Sequence, residues 1–373
     1  MESARPRFEV ADVIRLHGDA FLRTHFTTFH QRQVLFRLAA CRTAQLGGHI
    51  EVCPACPDVQ VLAYNSCRDR HCPKCQGRER AEWIERSLAR ILPVPHFHVV
   101  FTVPDGLRPL FLRHPRPLYN LLFQASAQAL LELTADPRFL GAFPGFLLVL
   151  HTWAQNLAFH PHLHGIVTAG GLAPDDSAWL PSRPTFLVPV KALAKRFRRL
   201  FRAGLRRLGL DLPPECPKRW VVFTKRPLRG PAPLFRYLGR YTHRVGLANH
   251  RLVAVGPESV TFTVRARTPA TGSRRVTLTG SEFLRRYLLH VLPKGFVRIR
   301  HYGLYTSTHR ASRLARARQL LAPSPTPTPA QPPTIPTRTC PRCARPLVPF
   351  SLLRPLRLVR ASPSPSRAPP HVA

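Results

Sequence analysis

The sequence has 373 residues and carries 56 lysines and arginines against 19 aspartates and glutamates, a formal net charge of +37 at pH 7. Hydrophobic residues make up 44% of it, which excludes a chain disordered throughout and, at this length, allows two or three domains. So large a positive charge calls for a polyanionic partner, either nucleic acid or an anionic membrane face. The longest apolar stretches, such as 146–150, are far shorter than the roughly 20 residues that cross a bilayer, which excludes a membrane-spanning protein.

Apolar periodicity predicts an α+β chain. In chain order, helices are predicted as a pair within 11–46 and then at 77–91, 118–133, 191–208, 233–244 and 281–290. Strands are predicted at 98–103, 146–153, 162–168 and 220–224, followed by a hairpin of 252–255 with 260–265. Every second or third residue from 323 to 336 is proline, which indicates an extended linker, and the basic tail after it is expected to be disordered.

The predicted helix at 191–208 is strongly amphipathic. Leu193, Phe197 and Phe201 recur at helical spacing, whereas lysines and arginines occupy the rest of its surface. Such a helix is a candidate for holding a DNA backbone. The alternative is a basic helix that only faces solvent.

Two cysteine pairs have the spacing of a four-thiolate zinc site. The cysteines that follow the pattern C-x2-C-x15-C-x2-C are Cys53, Cys56, Cys72 and Cys75. Cys67 and His71 lie in the loop between the pairs, and either could replace a ligand. Arg68 and Arg70 make this loop basic and are candidates for contacting phosphate. A structural Zn²⁺ is therefore expected here.

Three cysteine features remain outside this pattern. Cys340 and Cys343 look like half of a second zinc ribbon, but no partner pair follows them. Cys41 and Cys216 have no assigned role.

Residues 1–13 contain no secretion signal, so we expect a cytoplasmic protein whose nine cysteines are metal ligands or free thiols rather than disulfides.

A second metal site is indicated by the segment 160–164. Alternate residues of a strand point the same way, so His162 and His164 can hold one cation between two imidazoles. The alternative is a chance pair of histidines on a solvated face. The motif by itself is only moderately specific.

A pair of tyrosines follows further along the chain. Tyr237 and Tyr241 are four residues apart, and on a helix they share a face. A pair of half-buried core tyrosines is the alternative, but Arg236, Arg240 and Arg244 surround them, which is unusual for a core-facing surface. Cations that lower the pKa of a phenol and stabilise phosphorane charge would make either tyrosine a competent nucleophile toward phosphorus. The histidine and tyrosine motifs together suggest metal-assisted cleavage of a phosphodiester.

At this point the sequence resembles the HUH-type, two-tyrosine rolling-circle transposases of bacterial insertion sequences, the insertion sequence ninety-one group. The resemblance covers about 13–321 and rests on blocks in the same order, at 64–73, 98–104, 151–164, 237–244 and 290–303. It implies that His162 and His164 bind Mg²⁺ or Mn²⁺ and that Tyr237 and Tyr241 are paired nucleophiles. It further implies single-stranded DNA as substrate, a 5′-phosphotyrosine product with a 3′-hydroxyl, and action at the bacterial nucleoid.

The resemblance also carries expectations about the fold and the third metal ligand. It implies an antiparallel sheet with the HUH strand in the middle, flanked by helices, with the tyrosine helix beside it. Related enzymes use a third ligand, for which Gln155 and His151 rank first and His160 and His243 are further options. We take Gln155 as the expected ligand.

The expected organisation has three parts. Residues 1–92 form a helical, zinc-binding, DNA-binding domain, 93–321 the catalytic domain, and 322–373 the linker and tail.

Two other classes of enzyme are disfavoured. An acidic-triad nuclease is disfavoured because the few acids lie mostly at turns, and a tyrosine recombinase because no histidine has an arginine three residues later. The remaining alternative is a non-catalytic zinc-ribbon DNA-binding protein or a decayed transposase.

Overall fold

The computed structural model describes residues 6–75, 84–87, 90–228, 246–265, 272–321 and 338–355. The predicted helix at 233–244, with both candidate nucleophiles and the arginines around them, lies outside these residues, as does 323–336. Of the predicted helix at 77–91, the structure describes 84–87, which is helical, and 90–91.

The predicted helices and strands that the structure describes occur in the predicted order, and further elements that were not predicted lie between and after them. The helices are α1 Val10–Thr24, α2 Phe29–Ala39, α3 Arg108–Arg113, α4 Pro115–Ala135, α5 Val190–Arg207, α6 Gly280–Leu288, α7 Ser307–Arg310 and α8 Arg313–Leu321. The strands are β1 Gly48–Cys53, β2 Cys56–Tyr64, β3 His96–Thr102, β4 Gly145–Trp153, β5 Phe159–Thr168, β6 Gly170–Leu172, β7 Trp179–Pro181, β8 Val222–Leu228, β9 Leu252–Val255, β10 Ser259–Arg265, β11 Ser273–Thr279, β12 Ile299–Gly303 and β13 Val348–Leu353.

By its internal contacts the chain divides into two compact units. The larger unit combines 1–39 with 69–334, and the smaller combines 40–68 with 335–373. The predicted boundaries fell at 92 and 322 instead. The difference arises because β13 pairs with β1, which places part of the expected tail in one sheet with the cysteine-rich segment.

A five-stranded sheet lies at the centre of the larger unit, in the order β12-β4-β5-β3-β8. Every neighbouring pair is antiparallel. The middle strand is β5, which carries the two-histidine motif. The expected α+β class with an antiparallel sheet and flanking helices is therefore confirmed.

The two faces of this sheet have different partners, because successive side chains of a strand point to opposite faces. On one face Phe101 and Leu163 are completely buried in a core shared with α4 and α5. On the other face Leu147 and Ile166 pack with Leu314 of α8. Toward one end of this second face, histidines take the place of the apolar side chains.

The predicted amphipathic helix is present as α5. Its apolar residues Leu193, Phe197 and Phe201 are completely buried. Arg196 forms an ion pair with Glu132 of α4, and Arg198 is half-buried. The other basic side chains of the helix, such as Lys195 and Arg199, are exposed.

A second sheet of the larger unit follows the predicted hairpin. β9 and β10 pair as expected, and β11, which was not predicted, adds a third antiparallel strand. β11 leads directly into α6, where the Thr279 hydroxyl accepts a hydrogen bond from the Glu282 N–H at 3.2 Å and so caps the helix.

The smaller unit contains one three-stranded antiparallel sheet, in the order β13-β1-β2. The β1–β2 hairpin turns between Cys53 and Cys56, which face each other in the register. β13 lies along the other edge of β1, with Val348 opposite Val52 and Leu353 opposite Gly48. The tail is therefore ordered over 348–353, contrary to expectation.

Candidate functional site

Three histidines from two neighbouring strands meet on the second face of the central sheet. Ring nitrogens of His151, His162 and His164 all lie within 4.8 Å of one another. His162 and His164 point the same way because they are two residues apart on β5. His151 joins them because it lies directly opposite His162 in the pairing of β4 with β5.

Hydrogen bonds orient the two β5 imidazoles. The Nδ1 of His162 lies 2.7 Å from the carbonyl oxygen of His160, to which it donates when this nitrogen carries the proton. The Nδ1 of His164 lies 2.8 Å from Nε2 of His98 on β3, whose ring plane is within 4° of parallel. Such partners fix the tautomer and direction of a metal-binding imidazole.

The spacing of the ligand atoms fits a small divalent cation. The two Nε2 atoms of His162 and His164 are 3.1 Å apart. Two nitrogens that bind one ion at about 2.1 Å and at right angles lie about 3 Å apart. Three imidazoles are thus available as ligands, and they leave other coordination positions for phosphate or water.

Burial keeps these imidazoles neutral. It lowers the pKa of His162 to about 4 and the pKa values of His151 and His164 well below the ordinary value, and the charges of neighbouring histidines add to the effect. Burial also lowers the pKa of His98 to about 4, with a contribution from Lys225. Each neutral ring has one unprotonated nitrogen, so near pH 7 a cation need not displace protons.

The expected third ligand, Gln155, is held elsewhere. Its side-chain oxygen accepts a hydrogen bond from the Arg265 N–H at 2.7 Å, and its carbonyl oxygen accepts one from Arg251 at 2.6 Å. Gln155 follows the end of β4 and therefore lacks the strand alternation that directs His151 toward the motif. The selection of Gln155 is corrected in favour of His151, the other first-ranked option.

The remaining options for a third ligand have different surroundings. His160 lies 3.7 Å from the carboxylate of Asp105, which gives its ring another partner. His243 lies outside the described residues, as do Tyr237 and Tyr241. His98 was not predicted as part of the site, because the sequence does not reveal that β3 pairs with β5.

One edge of this site carries an exposed aromatic and an exposed basic side chain. β8 pairs with β3 so that Phe223 lies opposite Val100 and Lys225 opposite His98. Val222 is buried in the core on the other face of the sheet, which directs Phe223 and Lys225 to the histidine face. Phe223 is 50% exposed, an unusual position for a large apolar side chain beside a candidate metal site.

The predicted zinc ligands do not form the expected set of four. Cys53 and Cys56 lie with Cys340 and Cys343, with all four sulfurs within 4.8 Å of one another. Strand pairing is the reason, because β13 brings the segment before it to the end of the β1–β2 hairpin. Cys340 and Cys343 therefore do have a partner pair, but one that precedes Cys343 by 290 residues in the sequence.

Four further cysteines of the cysteine-rich segment and its surroundings lie outside this cluster. Within the smaller unit, Cys67 donates its backbone N–H to the Cys41 sulfur at 3.5 Å. Within the larger unit, Cys72 is buried and Cys75 is half-buried. Cys72 donates its backbone N–H to the Asp69 carbonyl oxygen at 3.0 Å.

His71 and Arg70 have structural partners. The His71 ring lies 2.8 Å from the Asp69 carboxylate through Nδ1, and its Nε2 accepts the Leu292 N–H at 3.4 Å. Both ring nitrogens are thus engaged, which removes His71 as a zinc ligand. Arg70 donates to the Phe296 carbonyl oxygen at 2.7 Å, whereas Arg68 is exposed and remains a candidate for contacting phosphate.

Similarity to known proteins agrees with this architecture. The family model "Transposase zinc-binding domain" matches 13–103, and the model "Putative transposase" matches 145–313, which includes the histidine cluster. "Putative transposase y4qJ" of Sinorhizobium fredii (strain NBRC 101917 / NGR234) is 42% identical over 353 residues, which cover 88% of each chain. No solved structure matches significantly.

A more distant relative is the transposase for insertion sequence element IS801 of Pseudomonas savastanoi pv. phaseolicola. It is 29% identical over 324 residues, which cover 79% of this chain and 76% of that protein. The two family models, in this order along the chain, together with the 42% identical relative, define a protein of the transposase class. The chain belongs to the transposases of the insertion sequence ninety-one (IS91) family.

Within the part of the chain that the structure describes, no helix has the length and apolar character needed to cross a membrane.

Proposed function

We propose that this transposase nicks and rejoins single-stranded DNA at the ends of its insertion sequence by tyrosine attack on a phosphodiester. The observation that carries the proposal is the cluster of His151, His162 and His164 on the central strands of the sheet. The HUH chemistry requires such a cluster beside paired tyrosines, and the sequence supplies Tyr237 and Tyr241. This mode of cleavage corresponds to rolling-circle transposition in the bacterial cytoplasm.

The proposed step can be written atom by atom. A bound Mg²⁺ or Mn²⁺ would polarise the scissile phosphate as a Lewis acid. The phenol of one tyrosine loses its proton to solvent, and its oxygen forms a bond to phosphorus. The bond from phosphorus to the 3′ oxygen breaks, and that oxygen takes up a proton. The products are a 5′-phosphotyrosine and a 3′-hydroxyl, and attack by a 3′-hydroxyl on the phosphotyrosine rejoins a strand.

The chain's own residues would orient and neutralise the phosphate. The imidazoles of His162 and His164 are held by His160 and His98, so their lone pairs are directed before the ion arrives. Arg236, Arg240 and Arg244 would stabilise the charge of the five-coordinate phosphorus.

Single-stranded DNA is the proposed substrate because of β8. Exposed Phe223 offers a flat surface for a base, and Lys225 beside it offers a charge for the backbone. Aromatic stacking together with cationic contacts is the usual way in which proteins bind single strands. In a duplex the base faces are already stacked on one another and are less available to Phe223.

Covalent capture tests the proposal. The full chain is incubated with Mn²⁺ and labelled single-stranded DNA that carries either terminus of its insertion sequence, and denaturing gels are examined for a labelled protein. We expect an adduct that is lost in the double variant Tyr237→Phe, Tyr241→Phe and kept in Tyr64→Phe, which alters an exposed tyrosine on β2.

Two outcomes would contradict the proposal. One is an adduct that persists in the double variant. The other is DNA binding without an adduct on either strand of either terminus, which would instead support a non-catalytic zinc-ribbon DNA-binding protein or a decayed transposase.

A further inference from the structure

The four-cysteine cluster of the smaller unit has features of a complete metal site. Its ligands come from two turns of the same type, Cys-Pro-x-Cys, and Cys53 and Cys343 are 290 residues apart in the chain with their sulfurs 3.5 Å apart. Four thiolates in two such turns are the ligand set of a closed, structural zinc site. The zinc-binding family model ends at 103 and therefore does not include Cys340 or Cys343.

Both turns have the local geometry that prepares sulfurs for a metal. The Arg342 N–H donates to the Cys340 sulfur at 3.4 Å, and the Ala344 N–H donates to the Cys340 carbonyl oxygen at 2.9 Å. Ala344 adopts the left-handed region with φ of 58°, which closes the turn. Cys53 likewise accepts backbone hydrogen bonds, from Ala55 and Cys56 of its own turn.

The surroundings of the cluster are formed equally by both ends of the chain. Leu347 is buried with three of the cysteines, and Val59 and Val61 pack against this small core. Arg342 forms an ion pair with Asp58 at 3.0 Å, but both side chains are about two-thirds exposed, so this pair stabilises the contact little.

So small an apolar core does not account for an ordered strand β13. Domains with few buried apolar residues commonly depend on a metal for folding. A four-thiolate zinc site supplies a large folding free energy of this kind, since zinc-finger peptides are unfolded without their metal.

We propose that one Zn²⁺ bound by Cys53, Cys56, Cys340 and Cys343 joins the C-terminal segment 338–355 to the N-terminal hairpin. The zinc module of this transposase is then completed from the C-terminus and is not confined to its first hundred residues. The proposal is independent of the tyrosine mechanism, because it concerns only how the smaller unit is held together.

Zinc content measured on the full chain gives the first test. Native mass spectrometry should show one Zn²⁺ fewer per chain in the variant Cys340→Ser, Cys343→Ser than in the wild type. Cys216→Ser removes a thiol that lies in another part of the chain and should leave the zinc content unchanged. A folded double variant with the zinc content of the wild type would overturn the proposal.

Thiol protection in the unaltered protein gives the second test, which does not depend on a variant that folds. Cys343 is exposed, so without a metal it should react rapidly with iodoacetamide. We expect Cys343 and Cys340 to be protected in the purified protein and to become reactive, together with Cys53 and Cys56, when a chelator is added. Rapid labelling of Cys343 before chelation in protein that retains its zinc would contradict the proposed site.

Discussion

At the scale of single residues, the histidine cluster shows how burial prepares candidate metal ligands. His162 and His164 are directed by their hydrogen bonds and kept neutral by burial, so they are poised for a cation. The third member is set by strand pairing, since His151 lies opposite His162. Gln155, four residues later, is past the strand and bonded to the backbone N–H of Arg265.

The two candidate third ligands can be separated by Mn²⁺ binding. We expect His151→Ala to weaken Mn²⁺ affinity by more than the roughly 10–100-fold that loss of an outer partner costs, because a direct ligand is removed. Gln155→Ala should leave the affinity unchanged. Titration followed by electron paramagnetic resonance measures both, and thermal melting checks that each variant is folded. The reverse order of affinities would reinstate Gln155.

At the scale of elements, β8 carries an exposed aromatic side chain, and within the described residues no apolar partner covers it. It presents Phe223 and Lys225 on the histidine face, while Val222 contributes to the core on the other side. An edge strand with this alternation suits a bound polymer that combines flat bases with charged phosphates.

Replacing the exposed aromatic ring on β8 should weaken binding of single strands. We expect Phe223→Ala to cost about 1–3 kcal/mol of binding free energy, because one base–aromatic stack is lost. Phe26→Ala is the control, since Phe26 is 93% exposed and lies far from β8 in the sequence. Fluorescence anisotropy with single-stranded and duplex DNA measures the effect. Equal losses in the two variants, or none, would remove Phe223 from the DNA path.

A buried histidine at the beginning of β3 makes stability depend on pH. His96 is completely buried between the Val94 carbonyl oxygen at 2.7 Å and the Tyr305 hydroxyl at 3.1 Å, and burial lowers its pKa to about 4. In the unfolded chain the His96 imidazole binds a proton below about pH 6.5, whereas in the folded chain it stays neutral until the pH falls to about 4. This contribution to stability is therefore present above pH 6.5 and is lost as the pH falls toward 4.

Urea unfolding over this range measures the contribution. For the His96 site alone, the free energy of unfolding should fall by up to about 1.4 kcal/mol per pH unit between pH 6.5 and 4. We expect His96→Gln to reduce the slope by that amount, whereas His250→Gln, at an exposed site, should not change it. A slope identical in all three proteins would contradict the buried-histidine explanation.

At the scale of the whole molecule, the structure shows where part of the net charge of +37 lies. Part of it lies on the outer surface of α5, whose opposite surface is fixed in the core by Phe197 and Phe201. A basic helix fixed in this way can follow a DNA backbone, although a solvated helix would look the same in the free protein.

Salt dependence distinguishes these two roles of α5. The double variant Arg199→Gln, Arg202→Gln should reduce the log–log salt slope of single-strand binding by up to about 1.4, since each lost phosphate contact contributes roughly 0.7. The matched control is Arg274→Gln, Arg275→Gln, which removes two exposed charges from β11. An equal decrease in both variants would indicate only the effect of net charge.

The local features of this protein were readable from its sequence. The amphipathic spacing of Leu193, Phe197 and Phe201 predicted α5, and the alternation of His162 and His164 placed two imidazoles on one side of β5. Helical and strand periods are properties of short segments, and the family resemblance rested on blocks of this kind. The candidate nucleophiles Tyr237 and Tyr241 lie outside the described residues and stay predictions.

The partners of these residues were decided by tertiary structure. His151 and His98 reach the candidate metal site only because β4 and β3 flank β5. Cys53 and Cys56 lie with Cys340 and Cys343 rather than with the nearer pair at 72 and 75, because β13 adds to β1. When metal ligands are close in sequence, the spacing between them limits which of them can bind the same ion. It gives no information about strands that pair across some 300 residues, where only the packed fold selects the partner.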